Sequence, residues 1–343
     1  GENMDCIFDY KLSDMQEYFV SIGEKKYKAK QIYEWLYKKR VYNFSDMSNI
    51  SRALQEKLES TFDTSMLKLR KRQTSKLTNK YLFELSDGNL IEAVLMRHDY
   101  GLSVCVSSQV GCNMGCTFCE SGRLKKVRDL KSGEIVRQIL MIENDVNMRI
   151  SSVVIMGIGE PFDNYDNIMN FIRIINDPSG IAIGARHITV STSGIVPRIY
   201  DYANEAIQTN LALSLHAPNN VLRNKIMRVN KAYPLDDVLK ALKYYIEKTN
   251  RRVTIEYLLL DGVNDTTDCA KELAHLIKGL NAYVNLIPYN ETSHIEYKKS
   301  KNETVMQFYD TLKKLGINVT VRREFGGSID AACGQLRASE VEK

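Results

Sequence analysis

The sequence predicts an α/β protein: a wholly or partly closed barrel of β/α units over residues 81–343, preceded by a small helical, basic domain with its linker over residues 1–80. Short apolar strands alternate with amphipathic helices from Leu102 onward, which argues for a parallel sheet. Residues 12–62 carry helical periodicity instead. The charge is also uneven: residues 1–80 hold 16 Lys and Arg against 11 Asp and Glu, whereas residues 81–343 hold 31 of each, so the first quarter carries the whole net charge of +5.

In the first part, Ile32, Trp35, Leu36 and Val41 space roughly as one helical face, and Ser51 reads as the cap of a helix through Thr61 that carries Leu54 and Leu58. A polar, basic stretch over 70–80 follows. Tyr81 to Leu85 and Leu90 to Met96 flank Ser86, Asp87, Gly88 and Asn89, a hairpin signature. Strands are expected at 102–107, 152–156, 187–192, 209–214, 253–259, 283–288 and 318–322. Helices are expected at 132–144, 165–175, 235–248, 267–278 and 304–315.

Cys112, Cys116 and Cys119 stand at C-x3-C-x2-C spacing with Phe118 just before the third. Three thiolates are one fewer than the four that close a typical iron-sulfur site, so one iron of a 4Fe-4S cluster is left open for another ligand, much as a catalytic zinc keeps an open position. Zinc is the competing reading, but no Cys or His pair at zinc-finger spacing follows. Seven cysteines in 343 residues do not make a small disulfide-stapled scaffold.

Barrel chemistry sits at the C-terminal ends of strands, and polar motifs fall there. They are Gly157, Gly159, Glu160 and Pro161; Ser191 to Gly194; Ser214, Leu215 and His216; and Tyr289 with Asn290. The glycines would let backbone approach a ligand closely, and Glu160 would accept from an ammonium group. Each motif is also compatible with ordinary turn chemistry. Basic runs at Lys25–Lys30, Lys68–Lys80 and Arg123–Lys131 suit phosphate backbones, against the alternative of a solvated charged face. No run of 18 apolar residues exists and the N-terminus shows no signal-peptide pattern, so the expectation is a cytoplasmic protein with no membrane partner.

Five segments, Leu102 to Cys112, Met156 to Pro161, Val190 to Gly194, Ser214 to His216 and Ile329 to Leu336, together with the three cysteines, resemble the RlmN/Cfr family of radical S-adenosylmethionine RNA adenine methyltransferases. The resemblance runs along nearly the whole chain. It implies a partial (β/α)6 radical S-adenosylmethionine barrel, with a 4Fe-4S cluster on Cys112, Cys116 and Cys119 and S-adenosylmethionine held by Gly159, Glu160, Ser191, Ser214, Leu215, His216 and Asn290. It also implies a reductant such as flavodoxin or ferredoxin and a monomeric enzyme.

An adenine ring carbon is a poor nucleophile, so the methyl must arrive as a carbon radical, which is chemistry that a cofactor supplies and the protein positions. The resemblance implies that Cys333 is methylated by one S-adenosylmethionine and activated through a second, giving an S-methylcysteine route with two per turnover. Cys105 then releases the product by forming a disulfide with Cys333, and Glu92 accepts a proton. Cys6 and Cys269 match nothing.

The family includes enzymes that methylate carbon 2 of an adenine in 23S ribosomal RNA, often in transfer RNA too, and enzymes that methylate carbon 8 and give antibiotic resistance. Segments Gln109–Cys112, Ile287–Asn290 and Arg322–Glu324 are more similar to the carbon 2 branch. Segments 120–128 and 325–328 depart from the usual pattern. A non-catalytic iron-sulfur RNA-binding paralogue stays open as the alternative from another class.

Overall fold

A computed structural model describes residues 4–322 and 335–341. The N-terminal part is helical. Strand β1 (Asp5–Cys6) pairs in parallel with β2 (Phe62–Asp63), and between them run α1 (Leu12–Ser21), α2 (Tyr27–Tyr33) and α3 (Arg52–Thr61). Ser51 caps α3 as the sequence predicts, its Oγ accepting from the Leu54 N–H at 3.3 Å. Ile32, Tyr33, Leu36 and Tyr37 bury one face, while Trp35 stays half-exposed under the Lys39 ammonium, 3.9 Å from its ring centroid.

The 70–80 stretch is not a linker. Strands β3 (Lys68–Thr74), β4 (Thr78–Glu84) and β5 (Leu90–His98) form an antiparallel meander, so a boundary at residue 80 falls inside β4. The edge strand β3 escapes a sequence reading because its charged side chains face solvent, which replaces apolar alternation by a charge run. The β4–β5 turn is the expected one, with Gly88 at φ 85° and its N–H donating to Leu85 O at 2.9 Å.

Antiparallel to β5 lies β6 (Gly101–Val106), which begins the barrel. The chain then makes the cysteine loop, built on β7 (Gln109–Val110), α4 (Glu120–Arg123) and β8 (Arg128–Asp129). Regular β/α alternation follows: α5 (Ser132–Val146), β9 (Ser152–Ile155), α6 (Tyr165–Asn176), β10 (Ile188–Thr192), α7 (Val196–Ala203) and β11 (Asn210–Ser214). Three helices, α8 (Asn220–Ile226), α9 (Val229–Ala232) and α10 (Leu235–Thr249), lead to β12 (Val253–Leu259). The chain continues through α11 (Thr267–Leu276), β13 (Ala282–Pro288), α12 (Asn302–Lys314) and β14 (Val319–Val321) to α13 (Gln335–Val341).

The large sheet has the order β14-β13-β12-β11-β10-β9-β6-β5-β4-β3, parallel from β14 to β6. Six β/α units plus β14 make an open (β/α)6 barrel. The strand expectations hold to within one or two residues, and α7 is an element the sequence reading omitted.

Register fixes what each face carries. Val104, Val153, Ile155, Ile188, Val190, Leu211, Leu213, Ile255, Tyr257, Val284 and Leu286 point outward, fully or almost fully buried under the helices. The alternate residues, Cys105, Ser191, Ser214, Glu256, Asn285 and Thr320, point into the barrel. Among the described residues no helix is long and apolar enough to cross a membrane.

Candidate active site at the carboxyl ends of the barrel strands

The short β7–β8 ladder pins the base of the cysteine loop. Gly111, at φ 76°, is required there, since a Cβ would come within 2.2 Å of Lys125 O. Thr117 N–H donates to Ile226 O at 3.1 Å, and Arg228 Nη2 donates to Asn113 O at 2.5 Å, so the segment around α8 holds the loop from the other side. Cys112, Cys116 and Cys119 are half-buried. Burial, with the neighbouring cysteines adding to it, pushes Cys112 up to about 12 and Cys116 well above the usual thiol range. Three thiols gathered in one loop are the donor set an iron-sulfur cluster takes. Among the described residues no three His, Cys, Asp or Glu side chains close on a single metal ion.

The Gly-Ile-Gly-Glu-Pro turn after β9 packs closely against the segment 106–109. A Cβ at Gly157 would lie 2.7 Å from Val106 O, and one at Gly159, at φ 108°, would lie 2.6 Å from Gln109 Cβ. The glycines therefore admit the neighbouring protein backbone at 106–109, which is a structural reason for them beside any ligand. Glu160 is buried and already saturated: Oε1 accepts from Ser193 N–H and Oγ, both at 2.7 Å, and Oε2 accepts from Phe162 N–H at 2.9 Å and Thr192 Oγ1 at 3.0 Å. Burial raises its pKa against these four donors. It ties the β9 and β10 ends together, and a ligand ammonium would have to compete with Ser193.

Ser191 Oγ and Ser214 Oγ sit 3.5 Å apart on adjacent strands, facing the barrel interior. Leu215 is fully buried. His216 follows in a left-handed conformation, φ 60°, with its ring edge-on to Phe118 of the cysteine loop, centroids 5.0 Å apart. Its Nδ1 accepts from the Leu258 N–H at 2.9 Å, and burial pulls its pKa down to about 3. The imidazole is thus neutral, with Nε2 carrying the proton. Asn290 is exposed just beyond β13, next to Tyr289, whose hydroxyl donates to Phe118 O at 3.2 Å. A cavity of about 510 Å³ opens beside the loop, lined by Cys116, Cys119, Arg123, His294 and Tyr297.

Cys105, half-buried on β6, faces Val94 across the β5–β6 ladder, and Glu92 lies two residues along on the same face. Burial raises the Cys105 pKa, and Arg322 is the charge that most opposes this. Glu92 is buried in an ion pair, Oε1 lying 2.9 Å from Lys80 Nζ, while Oε2 accepts from the Arg337 N–H of α13 at 2.9 Å. Arg337 Nε also donates to Leu90 O at 2.8 Å. Helix α13, which starts two residues after Cys333, is therefore docked on the strand that carries Glu92. Cys333 itself lies outside the described residues, and Cys105 is a free thiol, so the expected disulfide is not present.

The barrel interior adds groups the sequence reading missed. Asn285 Nδ2 donates to Glu256 Oε2 at 3.0 Å, and Thr320 Oγ1 lies 3.4 Å from Asn285 Oδ1. Burial raises the Glu256 pKa, opposed first by Arg322. An acid at an interior position of an apolar strand is a signal that could have found Glu256. The basic runs are largely spent internally: Lys68 and Arg70 pair with Glu84, Lys71 with Glu340, Arg72 with Asp145, Lys126 with Asp129 and Asp163, and Arg128 with Asp87 and Glu134. Lys25, Lys26, Lys30, Lys76 and Lys125 stay exposed.

Comparison with known proteins agrees with this arrangement. Residues 106–277 match the profile of the radical SAM superfamily, and residues 6–63 match the ribosomal RNA large subunit methyltransferase N-terminal domain. The chain is 56% identical over 346 aligned positions to a probable dual-specificity RNA methyltransferase RlmN of Streptococcus sanguinis, covering 98% of this chain and 96% of the relative. It is 54% identical to the Enterococcus faecalis protein of the same name, covering 99% and 98%. A solved radical SAM methyltransferase from Sphaerobacter thermophilus superposes with a TM-score of 0.91 at 39% identity, covering 96% of this chain and 98% of that one.

Proposed function

Because the chain belongs to the RlmN family of radical S-adenosylmethionine RNA methyltransferases, we propose that it methylates carbon 2 of an adenine in 23S ribosomal RNA, and in transfer RNA as well. Two molecules of S-adenosylmethionine are used per methyl delivered. The observation that carries this reading is the shared interior: Cys105, Ser191 and Ser214 face one lumen at the strand ends, with the cysteine loop and His216 at its mouth.

Cys112, Cys116 and Cys119 would hold a 4Fe-4S cluster, which supplies one-electron reduction of S-adenosylmethionine when bound. Gly159, Glu160, Ser191, Ser214, Leu215, His216 and Asn290 would hold that cofactor. Cys333 carries the methyl as a thioether and becomes bonded through its carbon to the base. Glu92 takes the proton lost from the ring carbon, and α13, which begins two residues after Cys333 in sequence, is docked on the Glu92 strand. Cys105 then attacks Cys333 sulfur as a thiolate: the S–S bond forms, the S–C bond to the base breaks, the released carbon takes up a proton to become the methyl, and the one electron left over would pass to the cluster. Arg322 favours that thiolate.

The target base is unpaired or flipped, because a ring carbon stacked in a helix is out of reach. The N-terminal part, with exposed Lys25, Lys26 and Lys30, grips phosphates around it. The enzyme works as a cytoplasmic monomer with a flavodoxin- or ferredoxin-type electron donor.

The test is anaerobic turnover of the reconstituted full chain with S-adenosylmethionine bearing a trideuterated methyl group, a reductant and RNA from cells lacking the gene. Nucleosides are then read by mass spectrometry. A 2-methyladenosine retaining two of the three deuteriums is expected. An 8-methyl product would move the assignment to the other branch, and a methyl with all three deuteriums would reject transfer through Cys333.

A further inference from the structure

Arg223 on α8 is a cation with no exposed surface. Its Nε donates to Leu215 O at 3.0 Å, Nη1 to Asn230 Oδ1 at 3.0 Å, and Nη2 to Ser193 O at 2.6 Å and Ser214 O at 2.9 Å. Every acceptor is neutral. A buried guanidinium normally keeps a carboxylate partner, yet among the described residues Arg223 pairs with none, and the group whose ionisation would favour its charge is Cys116. Burial pulls Arg223 down to about 10, which leaves it charged at neutral pH. The same helix receives the cysteine loop, since Ile226 O accepts the Thr117 N–H and Cys116 packs on Ile226, Met227 and Ala217.

We infer that Arg223 is the counter-charge of the iron-sulfur cluster: its buried cation sets the cluster's reduction potential, and its fork fixes the β10 and β11 ends that carry Ser191, Ser214 and His216. This rests on the reading of the three cysteines as cluster ligands. Reduction adds negative charge to the cluster, and in a low-dielectric setting a fixed cation stabilises the reduced form more than the oxidised one. Removing it moves the potential negative. The deficit of negative charge around Arg223 is then filled when the thiolate-bound cluster arrives.

The experiment is a potentiometric titration, followed by electron paramagnetic resonance, of anaerobically reconstituted full-length protein, with S-adenosylmethionine affinity measured in parallel. Arg223→Gln removes the charge and shifts the potential negative. Arg223→Lys keeps the charge but cannot reproduce the planar fork, so its potential stays near wild type while S-adenosylmethionine binds several-fold more weakly.

Asn230→Asp leaves Arg223 and its strand bonds in place while neutralising its field, so it too shifts the potential negative. It decides the matter if Arg223→Gln fails to fold. Unchanged potentials in the loaded Gln and Asp variants, or a shift of equal size in the Lys variant, would overturn the inference. Wild-type protein that takes up no iron and sulfide would instead overturn the reading of the cysteines beneath it.

Discussion

The two faces of the parallel sheet follow opposite rules. Outward, Val104, Ile155, Val190, Leu213, Ile255 and Leu286 are aliphatic and buried under the helices. Inward, one step along the same strands, Cys105, Ser191, Ser214, Glu256 and Asn285 are half-buried or buried yet polar, with the smaller apolar Val154 and Ala212 among them. A core that served only stability would fill the barrel as it fills the outer face. The difference teaches that the fold's apolar burial is concentrated outside the sheet, whereas inside it the strands carry polar groups.

That contrast can be pushed from its most costly element downward. Lys80 and Glu92 form a buried ion pair on the meander, and removing one partner leaves a buried charge alone. Lys80→Met is therefore expected to cost about 3–5 kcal/mol, read by urea unfolding of the apo chain. A loss below about 1 kcal/mol would show that the pair contributes little.

Next comes a matched pair of neighbours. Leu213→Ala on the outer face should cost about 2–5 kcal/mol, whereas Ser214→Ala on the inner face should stay within about 1 kcal/mol and weaken S-adenosylmethionine binding instead. Equal stability losses would erase the distinction between the faces.

A smaller effect concerns pH. The folded pKa of His216, about 3, lies below the unfolded value of 6.5, so the folded state binds fewer protons and the associated stability, present above pH 6.5, is lost as pH falls toward 3. Between pH 7.5 and 5.5 wild type should lose about 1.4 kcal/mol more than His216→Asn, which removes the titrating ring. Identical losses in the two proteins would mean that His216 is not buried as a neutral ring.

The outer face explains how much was legible. Apolar runs such as Val253 to Leu259 and helices such as Leu235 to Thr249 fixed strands and helices to within two residues, since burial under helices leaves a periodic mark. Strand β3 left none, because an edge facing water on both sides is written in charges. The cysteines and strand-end motifs were readable as spacing. Lys80 and Arg223 were not, because an isolated Lys or Arg reads as surface, and only the tertiary fold puts Glu92 or four neutral acceptors around it. The glycines of the β9 turn also admit protein backbone at 106–109, a role that spacing alone does not show.

The claim that the inward face is one reaction chamber rests on Cys105 and Cys333 working on the same base in sequence. The most direct test is turnover by Cys105→Ala with RNA and S-adenosylmethionine, followed by denaturing electrophoresis and mass spectrometry of the protein. The account predicts RNA left covalently attached through Cys333, because the carbon bond forms before the thiolate of Cys105 can release it. Free methylated RNA, released by the variant as by wild type, would contradict it.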